Sequence, residues 1–138
     1  ITSLKSDQAS DILITNDADT IVYPSGRLTL STGKGVQPVE PNPFVAVLDA
    51  DQIEYPLLLR KWKQGDYFYP LGMQKKKKLS RFFIDRKLSV PEKENTWVLE
   101  SGKKIIWVVG LRIDDRCKVT PKTRQTISLV WEPASPTP

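Results

Sequence analysis

The chain of 138 residues contains no histidine and only one cysteine. The absence of histidine excludes Ser-His-Asp triads, imidazole bases and metal sites with imidazole ligands. The single thiol, Cys117, can form neither an internal disulfide nor a zinc site built from several thiolates. The sequence therefore predicts few groups for catalysis and no metal site.

The chain also lacks any apolar run long enough to cross a bilayer as a helix. Its first ten residues, ITSLKSDQAS, have neither the charged start nor the apolar centre of a secretory signal. We therefore expect a cytoplasmic protein without a membrane partner. The only methionine is Met73 and the chain opens at Ile1, which predicts either a piece of a longer protein or a processed product. A catalytic centre could then lie elsewhere.

Positive charge is concentrated in one part of the chain. Residues 1–57 hold three Lys/Arg against eight Asp/Glu, whereas residues 58–90 hold ten against two. Residues 91–138 hold eight against six. A local positive field of this kind attracts polyanions, and nucleic acid or an acidic membrane surface is the usual partner.

Short segments rich in β-branched and aromatic residues, separated by turn signals, predict a fold dominated by strands. These segments are DILIT, TIVYP, RLTLS, FVAVLDA, YPLLLRKW, WVLE, KKIIWVVGLRI and TISLVW. In KKIIWVVG, strict alternation would place Ile105, Trp107 and Val109 on one face and Ile106 and Val108 on the other. Both faces are apolar, which predicts a central strand covered on both sides. The expected fold is α+β, with layered, sandwich-like mixed sheets and one or two short helices.

One helix is predicted over residues 77–87. At 3.6 residues per turn, Leu79, Phe82 and Phe83 share an apolar face. The opposite face is basic and carries Lys77, Lys78 and Arg81. Pro91 is expected to end this helix, because the residue before a proline disfavours helical dihedrals. A single turn is expected at PEKEN, with Pro91 at its first position, and residues 133–138 are expected to form a flexible tail.

Glycines and carboxylates offer no clear chemistry. Gly65 and Gly72 do not have the spacing of a phosphate-binding loop, so we interpret both as turn residues. The acidic pairs Asp114/Asp115 and Asp49/Asp51 are expected to form salt bridges or cap turns. For Asp66 the sequence favours a role in holding the backbone of a turn over a contact to substrate.

The run of four lysines at residues 75–78 has two interpretations. It could be a solvated loop that only maintains solubility. Its context favours a polyanion site, because Arg81 continues the charge along the predicted helix and further cations lie on both sides. Those further cations are Arg60, Lys61, Lys63, Arg86 and Lys87. Two alternatives stay open: Arg86 could pair internally with a carboxylate, and Arg81 could bridge to Asp85, four residues on.

Residues 56–120 contain an ordered series of motifs: RKWKQGD, PLGM, KKLSRFF and WVVGLRIDDR. By this series they resemble the C-terminal domain of bacterial tRNA(Ile)-lysidine synthase. It covers about half the chain, and residues 1–55 resemble only loosely the strands that open that domain. Two positions depart from the pattern, since Cys117 stands where many relatives carry an aromatic residue and Lys75 where glycine is common.

The resemblance implies a role for the chain inside a larger enzyme. That enzyme attaches lysine to the wobble cytidine of a minor isoleucine tRNA, and uses ATP, with Mg, in an N-terminal catalytic domain whose phosphate loop is absent here. Residues 1–132 would be one accessory domain that grips the tRNA on the acceptor-stem side. It would need no cofactor and would not be catalytic alone. The implied fold is related to a domain of the phenylalanyl-tRNA synthetase β chain.

The resemblance and the charge pattern together assign roles to individual residues. Contacts to tRNA are assigned to Lys75, Lys76, Lys77, Lys78, Arg81, Arg60, Lys61, Lys63, Lys87 and Arg112. Structural roles are assigned to Gly65, Asp66, Gly72, Phe82, Phe83 and Trp107. The competing hypothesis is a structural or dimerisation module that braces the parent enzyme. In a homodimer of that kind, the acidic first 57 residues of one protomer would meet the basic surface of another.

Overall fold

The computed structural model describes residues 11–34 and 42–134. Within these residues the chain forms eleven strands and two α-helices. The strands are β1 (Ile12–Ile14), β2 (Thr20–Tyr23), β3 (Gly26–Lys34), β4 (Val45–Asp49), β5 (Leu57–Lys61), β6 (Tyr67–Phe68), β7 (Lys77–Lys78), β8 (Trp97–Ser101), β9 (Lys104–Val108), β10 (Arg112–Ile113) and β11 (Gln125–Pro133). The helices are α1 (Leu79–Asp85) and α2 (Val90–Glu94). No described helix is long and apolar enough to cross a membrane.

The strands form two larger sheets and one hairpin. The five-stranded sheet has the order β1-β5-β8-β9-β10, and the four-stranded sheet has the order β2-β3-β11-β4. Strands β6 and β7 pair separately. Every pairing between described strands is antiparallel, so the sheets are not mixed in direction. The predicted α+β class, with layered sheets and short helices, is confirmed.

The main core lies between the two large sheets. Leu59 and Leu99 from the five-stranded sheet belong to the same buried cluster as Leu28, Leu48 and Leu129 from the four-stranded sheet. Each of these five side chains is fully buried. Burial of a leucine side chain contributes roughly 1.5–3 kcal/mol. Contacts between the sheets therefore supply most of the apolar stabilisation of the fold.

A second buried cluster covers the other face of the five-stranded sheet. Phe82 and Phe83 of α1, together with Phe68, pack against Val98 and Val108 of the sheet. The rings of Phe68 and Phe82 meet edge to face, with their centroids 5.1 Å apart. Strand β9 is therefore an interior strand covered on both sides, as predicted. Helix α1 is held on the sheet by its apolar face.

The predicted faces of β9 were wrong in one respect. Ile105 packs with the helix on one face, whereas Trp107 lies in the core between the sheets. A β-bulge causes the change: Glu100 pairs with Ile105 but Leu99 pairs with Trp107, which leaves Ile106 as an extra residue. The extra residue breaks the two-residue alternation, and sequence periodicity does not report it.

The predicted helix boundaries also need correction. Residues 77 and 78 form β7, and α1 ends at Asp85 rather than before Pro91. The end is a Schellman turn: the Lys87 N–H donates to the Ile84 carbonyl, and the Leu88 N–H donates to the Phe83 carbonyl. Helix α2 then begins independently, with Ser89 as its N-cap and a reciprocal bond to Glu92.

The long predicted strand KKIIWVVGLRI is interrupted at Gly110. Its φ of 81° lies in the left-handed region that favours glycine. A Cβ atom there would stand 2.3 Å from the ring of Trp131. The chain therefore turns at Gly110, and β10 begins at Arg112 on the far side of the turn.

Candidate nucleic-acid interface

The four lysines at residues 75–78, called here the lysine turn, are held between a hairpin and a helix. Strand β7 pairs with β6, with Tyr67 opposite Lys78 and Phe68 opposite Lys77. The backbone N–H of Leu79, the first residue of α1, donates to the carbonyl of Asp66 at 2.9 Å. Because Leu79 and Phe68, the partner of Lys77, are fully buried, the second half of the turn is attached to the core.

The lysines of this turn differ in their surroundings. Lys75, Lys76 and Lys78 are exposed, and none forms a salt bridge within the described part of the chain. Lys77 is half-buried and pairs with Asp85. That contact is the main cause that holds the pKa of Asp85 below its ordinary value. Three of the four lysines are therefore available to an anion, whereas Lys77 is already engaged.

Two neighbours extend this basic surface. Arg81 on α1 has a side chain that is 69% exposed, and its Nε lies 3.5 Å from Asp85. The bridge that the sequence left open thus exists, but an exposed pair of this kind contributes little to stability. The ammonium of Lys76 lies 4.8 Å from the ring centroid of Tyr67, which is itself exposed. The surface thus combines exposed cations with one exposed aromatic ring.

Arg60 does not lie on this surface. It is 8% exposed and donates to Asp66 at 2.9 and 3.1 Å and to Glu100 at 2.9 Å. Asp66 also accepts the backbone N–H of Lys63 at 2.7 Å, which is the turn-holding role expected of it. With these partners in place, Arg60 anchors the chain before β6, and we leave it out of the surface proposed to contact RNA.

The remaining assigned cations lie at different places. Lys61, Lys63 and Lys87 are exposed. Arg112 is half-buried, with its guanidinium carbon 5.8 Å from the ring centroid of Phe82. Arg86 lies 5.4 Å from the same ring and forms no salt bridge within the described residues. The open alternative that Arg86 pairs with a carboxylate is therefore not what the structure shows.

Arg86 and Arg112 lie on a larger groove beside the helix. The groove has a volume of about 630 Å³ and is also lined by the apolar residues Val45, Leu71 and Leu111. The cations lie at an apolar groove, whereas the lysine turn is open to solvent. We therefore treat the two as separate surfaces.

The residues assigned structural roles lie in the core or in and beside turns. Phe82, Phe83 and Trp107 are buried. Gly65 and Gly72 lie in turns, with φ of 94° and 89°. These three aromatic side chains therefore pack in the interior of the domain.

The acidic pairs cap turns, as predicted. Asp114 is fully buried and accepts hydrogen bonds from the Tyr69 N–H at 3.0 Å and from Arg116. Asp115 accepts the N–H of Gly72 at 3.1 Å, which lowers the pKa of Asp115. Asp49 accepts the N–H of Asp51 and the hydroxyl of Thr123. Within the described ranges, no group of three or more His, Cys, Asp or Glu residues is arranged to hold a metal.

Cys117 is fully buried in the core between the sheets. Burial raises the pKa of its thiol to about 11. A thiol of this kind is neutral at pH 7 and unreactive. The position that departs from the family pattern therefore carries a packing residue.

Sequence reasoning missed a second group of cations. A pocket of about 90 Å³ is lined by four of them, together with Gly65, Asp66, Tyr67 and Ile105. The cations are Arg60, Lys103, Lys104 and Arg116. The available signal was the pair Lys103-Lys104 directly after a Ser-Gly turn. Without the fold, nothing in the sequence places that pair beside Arg116, because the residues come from different elements.

The described residues form a two-sheet α+β domain that presents the lysine turn and Arg81 of α1 on its surface. Residues 57–131 match the family described as the TilS substrate C-terminal domain. The match covers more than half of the chain, and the chain belongs to this family.

Similar sequences carry a consistent name. A tRNA(Ile)-lysidine synthase of Parabacteroides distasonis is 49% identical over 90 residues, which cover 65% of this chain and 20% of that protein. A tRNA(Ile)-lysidine synthase of Bacteroides thetaiotaomicron is 43% identical over 82 residues, which cover 59% of this chain and 19% of that protein. The chain therefore spans about a fifth of the length of these relatives.

Two solved structures share the fold. A crystal structure of a TilS C-terminal domain matches with a TM-score of 0.76 and 20% identity, and the match covers 92% of this chain and all of that one. An N-terminal fragment of the phenylalanyl-tRNA synthetase β-subunit from Pyrococcus horikoshii matches with a TM-score of 0.55 and 17% identity. The latter match covers 63% of this chain and 27% of that one. Both the family resemblance and the predicted fold relationship are confirmed.

Proposed function

We propose that this chain is the accessory tRNA-binding domain of a tRNA(Ile)-lysidine synthase. It grips the tRNA on its acceptor-stem side while an N-terminal catalytic domain of the same polypeptide ligates lysine to the wobble cytidine of the minor isoleucine tRNA. In this proposal ATP and Mg²⁺ belong to that catalytic domain, and the enzyme works in the cytoplasm. Family membership and the names of the relatives support the proposal.

The observation that carries the proposal is the state of Lys75, Lys76 and Lys78. All three are exposed, and none is neutralised by a salt bridge within the described part of the chain. A group of unpaired ammonium ions repels itself unless an anion is present. An RNA backbone supplies phosphates at regular spacing and releases counterions when they are neutralised.

The buried residues that support the lysine turn also favour RNA binding. Buried Phe68 and Leu79 hold the backbone at Lys77 and Lys78, so this half of the turn is already in place before RNA arrives. At Lys78 only the side chain loses freedom on binding, which limits the entropic cost of association. Arg81 extends the charge from the turn onto the helix. Such a surface contacts phosphates and helix shape, which position an RNA without reading its sequence.

A second candidate is a bracing or dimerisation module. It is favoured by the exposed carboxylates of Asp11, Asp17 and Asp19, which lie on a different part of the chain from the lysine turn. In a homodimer, this acidic segment could meet the lysine turn of a second copy. Analytical ultracentrifugation at low and high salt decides this point. A dimer that dissociates at high salt, or that does not form when the lysines of the turn are replaced, would support the bracing or dimerisation module.

The experiment that tests the proposed function compares two triple variants in tRNA binding. Lys75→Ala/Lys76→Ala/Lys78→Ala removes the three unpaired lysines and leaves Lys77 on Asp85. Lys34→Ala/Lys122→Ala/Arg124→Ala removes the same charge from exposed positions at the end of the four-stranded sheet. The first variant should lose about tenfold in affinity, or ~1.4 kcal/mol, whereas the second should stay near wild type. An equal loss of tRNA affinity in both variants would mean that the lysine turn acts only through the net charge of the domain.

A further inference from the structure

The pocket beside the lysine turn has the features of a receptor for one anionic group. Its volume of about 90 Å³ is well below the roughly 300–1,000 Å³ of pockets for drug-sized ligands. Four of its lining residues are cations and one, Asp66, is a carboxylate. A site of this size and charge suits a single phosphate group rather than a nucleobase.

The side chain of Arg116 is already oriented by contacts within the domain. Its Nε and Nη2 donate to the buried carboxylate of Asp114 at 3.0 and 2.9 Å. The guanidinium also lies 4.2 Å from the ring centroid of Tyr69. A guanidinium has five N–H donors, so three remain after the two bonds to Asp114, and none has an acceptor within the described residues. A carboxylate and a ring thus orient Arg116 while its other donors stay available.

The two lysines of the pocket come from a tight hairpin turn. Gly102 and Lys103 connect β8 to β9, with φ of 55° and 69°. Turns with two positive φ angles favour Asn and Gly, and a lysine there carries a conformational cost. Lys104 follows at the first position of β9, and neither lysine forms a salt bridge in the part of the chain that the structure describes. The turn therefore keeps two unpaired ammonium groups at the pocket despite the cost of its backbone.

Tyr67 connects the pocket to the lysine turn. It lines the pocket, and its ring also lies under the ammonium of Lys76. An RNA strand that crosses the lysine turn would therefore pass the mouth of the pocket. Because Arg60 is already bonded to Asp66 and Glu100, the donors open to a new anion are those of Lys103, Lys104 and Arg116.

We propose that this pocket binds one backbone phosphate of the RNA that lies across the lysine turn, through Lys103, Lys104 and Arg116. The assignment of the phosphate to RNA rests on the proposed function. The inference that the pocket binds a phosphate group does not rest on the proposed function, because it follows from the geometry of Arg116 and the hairpin turn. A free phosphate and an RNA phosphodiester offer the same oxygens, so the two sources need separate measurements.

The first measurement is an NMR titration of the whole chain with inorganic phosphate. The Nε–H of Arg116 and the backbone N–H of Gly65 should shift together and saturate in the wild type. The same shifts should survive in Lys75→Ala/Lys76→Ala/Lys78→Ala and disappear in Lys103→Ala/Lys104→Ala. Small shifts spread evenly over all exposed lysines would be ordinary counterion binding and would overturn the pocket as a receptor.

The second measurement is tRNA binding against salt concentration. Loss of one phosphate contact should lower the log–log slope by roughly 0.7–0.9 in Lys103→Ala/Lys104→Ala. The charge-matched control Lys34→Ala/Lys122→Ala should keep the wild-type slope. An unchanged slope in Lys103→Ala/Lys104→Ala would overturn the RNA assignment. If the wild-type chain bound no tRNA at all, the proposed function would fail, while the phosphate titration would still decide whether the pocket is a receptor.

Discussion

Arg60 and Asp66 form a two-point ion pair beneath the surface, with N–O distances of 2.9 and 3.1 Å. The same arginine binds Glu100 from the neighbouring strand, and Asp66 accepts the N–H of Lys63. The pair thus connects β5, β8 and the turn before β6. Its position explains why the Gly-Asp motif at residues 65–66 precedes the lysine turn: the motif orients the chain that carries the lysines.

The first prediction concerns this pair. Arg60→Ala should lower the free energy of unfolding by about 3–5 kcal/mol, because it leaves two partly buried carboxylates without a cation. Lys61→Ala, at an exposed neighbouring position, should change it by less than about 0.5 kcal/mol. Chemical denaturation of both variants makes the comparison. If Arg60→Ala kept wild-type stability but lost affinity for tRNA, Arg60 would be an RNA contact.

Trp107 provides a test of the core. It is 1% exposed and packs between the two sheets, so Trp107→Ala should destabilise the domain by about 3–5 kcal/mol. Thermal or urea unfolding gives the value. A variant that unfolds like wild type yet no longer binds tRNA would show that the indole touches the ligand.

Lys87 allows stability and binding to be separated. Its φ of 58° is left-handed, at the position of a Schellman turn where glycine is preferred. Lys87→Gly should therefore raise the free energy of unfolding by about 1 kcal/mol. If Lys87 also contacts phosphate, the same variant should bind tRNA more weakly. A variant that is more stable and binds equally well would remove Lys87 from the interface.

The contact of Asp115 with the turn at Gly72 should make the stability of the domain depend on pH. The N–H of Gly72 holds the pKa of its carboxylate below the ordinary value, so its stabilising effect is complete above about pH 4. The effect is lost as the pH falls through the lowered pKa of the folded state. An NMR titration should give a midpoint for Asp115 below that of an aspartate in an unfolded chain. Asp115→Asn should lose less stability than wild type between pH 6 and pH 3, and an equal loss would mean that the carboxylate does not hold the turn.

The strands were predictable because their signals are local. Segments such as TIVYP and TISLVW are rich in β-branched and aromatic residues, and they form β2 and the greater part of β11. The burial of Phe82 and Phe83 followed from helical spacing in the same way. These features depend on neighbouring residues, and sequence patterns report neighbours well.

The errors have a common cause in long-range contacts. The bulge at Ile106 shifted the face of Trp107, and no local pattern records an extra residue in a strand. The role of Arg60 depends on Glu100, which is 40 positions away along the chain. Likewise, Lys103 and Arg116 meet only because β9 and the turn after β10 lie side by side. Such pairings are set by the tertiary fold, so the sequence alone assigned Arg60 to the surface and missed the pocket.

The proposed grip on tRNA is tested most directly by the salt dependence of binding in the lysine-turn variant. Each phosphate contact contributes roughly 0.7–0.9 to the log–log slope, so Lys75→Ala/Lys76→Ala/Lys78→Ala should lower the slope by about 2. Circular dichroism should show an unchanged fold, because the three side chains are exposed. The loss should be similar for isoleucine and unrelated tRNAs, since phosphate contacts carry no sequence information. A folded triple variant with the wild-type slope and affinity would contradict the proposal and favour the bracing module.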